Sequence, residues 1–497
     1  MKRNLILLLL VFSLVLAGCG KSGPDMEALP PLETEGVQNV ASGGYNRSET
    51  IVIYQENLSN GINFELYEDG RLLLTGGDIS KSMVDEPAFK DYADTITAIE
   101  LGTGVTAVCD KAFARASKVE KLVIGDSVKT IGYSAFSDCT ALAQISFGSG
   151  LKELGDYAYS GCTALTDVDL NGNIENVGSY CFSGCSALKN AILGESITQM
   201  GHCIFDGCTA LSSLRIACDV GESALKDNTS LESVTFEKTV GKIGSRAFSG
   251  CSGLKNVSFA EGLQEIGAYA FSDCAALGSI SLPSSVNLVA REAFAKCAKL
   301  DTIQINPNAH AALEESVFAG CTALKSVDLG DGVTEIGSYC FAECTAIVNA
   351  TIGSNVETMG ELIFTGCSAL KSLEIGSSLG DSSLKNCETL EKVTFTSENV
   401  VSIGREAFSG CKALLEMILP EGLETIGDQA FYNCSAIKKM VLPKTLKKVG
   451  AEILSGTYEL RNLHSRGASK DWYGSVEKDA YWDKNAGTHT ISKFGVE

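Results

Sequence analysis

One pattern recurs from Ile96 to about His464, and it constrains the fold more than any other feature of the chain. Aligned on a ring-bearing position, it runs Phe113, Phe136, Tyr159, Phe182, Phe205, Leu225, Phe248, Phe271, Phe294, Phe318, Phe341, Phe364, Leu384, Phe408, Phe431 and Leu454. The step is about 23 residues nearly everywhere, a period that marks a stacked-repeat architecture. It falls by three before Leu225 and Leu384 and rises by one before Phe318 and Phe408. A unit this short cannot bury its own apolar side. Copies must stack, each covering its neighbour, so the chain grows by adding coils rather than new cores.

Each unit carries the same chemistry. In residues 131–147 it reads Ile131-Gly132, Ala135-Phe136, Cys139, Leu142, Ile145 and Phe147. The alternation at the end predicts a short strand with Ile145 and Phe147 facing inward and Ser146 outward. The recurrent Gly (132, 155, 178, 201, 244, 267, 337, 360, 404 and 427) suits a positive φ or a close backbone approach. The stretch from Ala135-Phe136 to Cys139 fits one helical or 3-10 turn that drives the ring into the core.

These elements predict a right-handed leucine-rich-repeat solenoid of about 16–17 rungs, β-rich α/β in class. A continuous parallel sheet would form one face, and short helical or 3-10 turns and loops the other. Seventeen strand segments, from Ile96–Leu101 to Leu460–Leu463, would stack to roughly 75–80 Å.

A longer period lies over the short one. Gly178-Ser179-Tyr180-Cys181-Phe182 returns as Gly337-Ser338-Tyr339-Cys340-Phe341, and the short unit at Leu225 returns at Leu384. Both returns come after the same seven units, as expected of a block duplication.

The flanks read differently. In residues 1–19, Lys2 and Arg3 precede the apolar run Leu5–Leu16, which is too short for an ordinary membrane span. Leu16-Ala17-Gly18-Cys19 resembles the bacterial lipoprotein cleavage box, which implies cleavage before Cys19 and lipidation of its sulfur. Residues 20–48 read as a flexible tether. Residues 49–95 read as an N-terminal cap, a β-hairpin in which Phe64–Tyr67 and Leu72–Leu74 flank Glu68-Asp69-Gly70. The solenoid proper is 96–464. Residues 465–497 hold Trp472, Tyr473, Tyr481 and Trp482, which fit a C-terminal cap over the last rung or an aromatic platform for sugar or peptide.

Chemistry finds little support. The four histidines (202, 310, 464 and 489) are far apart, and no phosphate loop, nucleophile elbow or calcium loop occurs. The reading is a non-enzyme with no cofactor and no metal. A formal charge of −21 with no basic face excludes nucleic acid as a partner. Thirteen of the 19 cysteines share one repeat position: 139, 162, 185, 208, 251, 274, 297, 321, 344, 367, 387, 411 and 434. A column with identical neighbours above and below offers no unique partner, so it predicts a ladder of free thiols. Cys181 with Cys185, and Cys340 with Cys344, leave pairing or metal binding open.

The outward strand positions define a candidate binding face. One column contains Ser213, Ser233, Asn256, Ser279, Thr302, Ser326 and Asn349; its neighbour contains Arg215, Thr235, Ser258, Ser281, Gln304, Asp328 and Thr351. These residues are short, polar and mostly uncharged. They suit a solvent-facing sheet, or weak multivalent contact with an extended ligand.

The unit Ile-Gly-x-x-Ala-Phe-x-x-Cys-x-x-Leu-x-x-Ile-x-Leu, matched throughout by residues 266–282, resembles the BspA-like leucine-rich-repeat family of bacterial surface proteins. The resemblance implies a surface antigen or adhesin, exposed on the cell and held to the membrane through lipid on Cys19. Its partners would be extracellular proteins or glycans of host or neighbouring cells. A non-adhesive envelope spacer or assembly platform is the alternative. Leu225 and Leu384 depart from the unit and mark places where the sheet could bend or the convex side recede.

Overall fold

The structure, a computed structural model, describes residues 50–465 apart from 59 and 60. Seventeen parallel strands, from Ala98–Leu101 to Asn462–Ser465, form the main ladder, one per rung. Their alternate residues are buried (Leu214 and Ile216, Val234 and Phe236, Ile280 and Leu282), and those between face out. Period-two alternation therefore places the apolar columns as the sequence requires.

The hairpin forms where Asp-Gly predicts it. Strand β2 (Asn63–Tyr67) pairs antiparallel with β3 (Arg71–Thr75), with Gly70 at φ +81. β3 then pairs in parallel with Ala98–Leu101, so the cap covers the first rung. A further edge strand, β1 (Val52–Asn57), lies antiparallel to β2. The buried Arg71 joins cap to rung, 3.2 Å from Glu100 and 3.8 Å over the Tyr67 ring.

Behind the strands the rings stack as one column. Phe248 and Phe271 lie 5.0 Å apart and 1° from parallel, and Phe271 and Phe294 lie 5.2 Å and 3°. Leu225 and Leu384 occupy the same column, fully buried.

Two expectations change and one narrows. The arc around each ring is not helical; the described helix is Pro87–Asp91 in the cap, whose Phe89 meets Phe113 at 6.3 Å. Residues two before and two after the ring have positive φ, as in Tyr269 (+59) and Asp273 (+61) around Phe271. That alternation turns the arc's N–H groups along the solenoid axis. Tyr269, Phe271 and Asp273 donate to Arg291, Ala293 and Ala295 of the next rung at 2.7–2.9 Å. A helical turn would satisfy these donors within itself and leave the rungs unlinked.

Second, the recurrent Gly is needed for close approach, not for positive φ. A Cβ on Gly267 would stand 2.7 Å from the Ser245 nitrogen and 2.8 Å from the Gly244 carbonyl carbon. Third, the main sheet is not continuous. It falls into four blocks, with breaks between Ser146 and Asp167, Ile305 and Ser326, and Phe395 and Glu416.

A second ladder of short strands, absent from the expectations, runs along another side of each coil (Thr130–Ile131, Glu153–Leu154, Asn176–Val177, Gln199–Met200 and onward). The irregular rungs act on the two ladders in opposite ways. Across the shortened step before Leu225 the main ladder stays fully paired, Ser213–Ile216 with Ser233–Phe236. The second ladder shrinks at the two short rungs to the single bridges Val220–Ile243 and Leu379–Ile403. The lengthened steps coincide with two of the three main-ladder breaks, while Leu288 still pairs with Ala312 in the second ladder. Length varies in the corner between the ladders, so the short rungs leave the main-ladder pairing intact.

Candidate binding faces

The two predicted columns lie side by side on the main ladder. Ser213, Ser233, Asn256, Ser279 and Thr302 are successive partners, as are Arg215, Thr235 and Ser258, and then Ser281 with Gln304. Ser326 pairs with Asn349 and Asp328 with Thr351, but this pair of rungs belongs to the next block, beyond the break after Ile305. The ladder hydrogen bonding along the face is therefore interrupted once, between Ile305 and Ser326.

Several of its polar groups already satisfy one another. Ser213 Oγ donates to Asn190 Oδ1 at 2.9 Å, Asn190 Nδ2 to Asp167 Oδ1 at 3.0 Å, and Thr302 Oγ1 to Asp301 Oδ1 at 2.9 Å. Arg215, the face's natural anchor, is tied to Glu237 at 2.6 Å. Both partners are exposed, so the pair contributes little to stability. Sequence columns carried further along the array would have shown a contrast near the C-terminal end, where Leu415 and Ile418 are exposed (48% and 43%).

The second ladder presents a different surface. Thr130, Glu153, Asn176 and Gln199 form one row in register, beside a column of Gly132, Gly155, Gly178 and Gly201. Together they line a shallow groove of about 550 Å³. One to two residues past the glycines, Tyr133, Tyr157 and Tyr180 form a run of neighbouring rings, with centroids 5.8 and 5.0 Å apart.

The cysteine column has a role beyond packing. All thirteen thiols donate to the carbonyl of the ring position one rung earlier: Cys274 Sγ to the Phe248 oxygen at 3.3 Å, Cys297 to Phe271 at 3.2 Å, Cys434 to Phe408 at 3.0 Å, and Cys387 to Phe364 at the longest distance, 3.9 Å. The eighteen described cysteines are unpaired, including Cys181, Cys185, Cys340 and Cys344. Burial pushes the Cys139, Cys251 and Cys297 thiols up to about 12, so they remain protonated donors rather than nucleophiles. Among the described residues no group of three His, Cys, Asp or Glu side chains could hold a metal.

At the corners, carboxylates fasten one rung to the next. Asp126 accepts from the Ser149 N–H (2.8 Å) and hydroxyl (2.9 Å), which hold its carboxyl below the usual range.

Six copies of the BspA-type leucine-rich repeat region match residues 82–212, 218–312, 307–398 and 377–470. The chain belongs to the BspA-type leucine-rich-repeat family. Among solved structures it is similar to a leucine-rich repeat protein from Bacteroides ovatus (22% identity, 84% of this chain and 93% of that one, TM-score 0.47). One from Eubacterium ventriosum is also similar (21%, 85% and 96%, TM-score 0.32), as is a leucine rich cell surface protein from Faecalibacterium prausnitzii (19%, 85% and 97%, TM-score 0.30). No curated protein matches.

Within this BspA-type chain, Cys19, Trp472, Tyr473, Tyr481 and Trp482 lie outside the described residues. The thiol-to-carbonyl contacts and the second-ladder row escaped sequence reasoning for one reason. Both depend on which rung lies above which, although the period was sufficient to list the columns.

Proposed function

We propose that this BspA-type chain is an exported scaffold that binds extracellular proteins or glycans, held to the membrane by lipid on Cys19 and exposed at the cell surface. The observation that carries the reading is the main ladder itself: seventeen strands whose outward positions form ordered columns. Short Ser, Thr and Asn side chains repeat along the stack, so contact would be weak per rung and gain strength by multiplicity. The export signal and the Leu16–Cys19 box support the location.

Replacing Ser279, Thr302 and Ser326 with Lys tests the face. Adhesion of cells or purified protein to matrix proteins and glycans should fall sharply with unchanged melting; undiminished adhesion removes this face. Cys19→Ser should release the protein from the membrane fraction, and retention of the variant there would refute the anchor.

A further inference from the structure

We propose that the groove on the second ladder, between Thr130 and Gln199, is a binding site for a neutral, linear glycan. It lies on a different side of the coil from the main-ladder face, so it stands or fails independently of that reading. Four properties point to this ligand.

The row offers a hydroxyl, a carboxylate and two carboxamides in register, one per rung, spanning three steps of about 4.8 Å. None of these four side chains enters a hydrogen bond or ion pair among the described residues. On the main face, by contrast, Ser213, Asn190 and Asp167 bond to one another. Carboxamides and carboxylates are the groups that donate to and accept from the paired hydroxyls of a sugar ring.

Charge narrows the class. Glu153 and Asp156 are the ionisable residues lining the groove, and no Lys or Arg lines it. Sulfated, uronic or phosphate-bearing polymers would be repelled. Shape narrows it again. Ile131, Leu154 and Val177 are buried and Met200, at one end, is half-buried, so the floor gives a peptide little apolar surface in which to anchor a side chain.

The duplication supplies an internal contrast. Seven rungs on, the corresponding row is Leu288, Ala312, Glu335 and Thr358, also in register. The backbone is repeated but the amides and the first hydroxyl are not. The chemistry of the first row is therefore not a requirement of the rung.

The test is titration calorimetry of the full-length protein with cellohexaose and maltohexaose as probes, and with a heparin hexasaccharide and hexalysine as charged comparators. At least one neutral hexasaccharide should bind with a Kd of about 1 mM or tighter. Asn176→Ala combined with Gln199→Ala should weaken it at least about tenfold with unchanged melting, because neither side chain holds the fold together. Glu335→Ala combined with Thr358→Ala should leave binding as it was. No binding of either glucan overturns the proposal, as does equal binding by the Asn176/Gln199 variant. Preference for heparin, or binding of hexalysine alone, would assign the groove to another class and overturn it too.

Discussion

Within one rung, the strand Ser279–Leu282 and the arc around Phe271 hold the same spacing to their neighbours by different means. The strand uses the ordinary parallel ladder, which is indifferent to what its outward side chains are. The arc uses a stacked ring, a thiol aimed at the previous rung, two residues at positive φ and a glycine pressed against backbone. The strand face is thus free to vary for binding, while the arc is fixed by contacts that few residues can make.

The largest effect should come from the ring. Phe271→Ala should cost roughly 3–5 kcal/mol, since it empties a position packed between Phe248 and Phe294. A melting temperature equal to wild type would break the comparison. Gly267→Ala comes next, at about 1–3 kcal/mol, because the clash is with backbone atoms that cannot swing aside. Substituting Ser281, on the strand of the same rung, should be nearly silent in the same denaturation assay.

Tyr159→Phe should stabilise by about 1–2 kcal/mol. The Tyr159 hydroxyl is buried in the ring column with no protein partner, a cost that Phe removes. Denaturant midpoints compare the two directly; a destabilised variant would show that the hydroxyl is satisfied.

Cys274→Ala should cost about 1 kcal/mol, from one weak hydrogen bond and a small void. The column also sets a pH dependence. Thiols such as Cys139, Cys251 and Cys297, pushed up to about 12, stay protonated in the fold while an unfolded chain ionises near the ordinary value of 9.0. Their contribution is whole below about pH 9 and is lost as pH rises toward about 12. Replacing all three with Ala should flatten the fall in melting temperature between about pH 8 and 10.5. An identical slope would argue that the thiols do not act in this way.

The smallest effect should be on the face. Ser279, Thr302 and Ser326 changed to Lys should shift stability by no more than about 0.5 kcal/mol each. A larger loss would mean that the strand face is as constrained as the arc.

The period, the ring and cysteine columns, the hairpin at Asp69-Gly70 and the inward and outward positions of the strands were legible in the sequence, because each follows from local alternation or repetition. The arc was misread as helical because Ala-Phe-x-x-Cys has helical spacing, and nothing local announces positive φ at residues such as Tyr269 or Glu292. Those conformations are sustained by hydrogen bonds to the next rung, as from Tyr269 to Arg291 and from Glu292 to Glu315, and no short window of sequence contains both partners.

By itself the sequence determined that short coils of one recurring length must stack and which side chains each coil must bury, since burial follows from the pattern of apolar residues. Only the tertiary structure decided where the ladders break, which carbonyl each thiol meets and which polar row is left without partners. These are contacts between rungs, and they exist only once one coil lies on another.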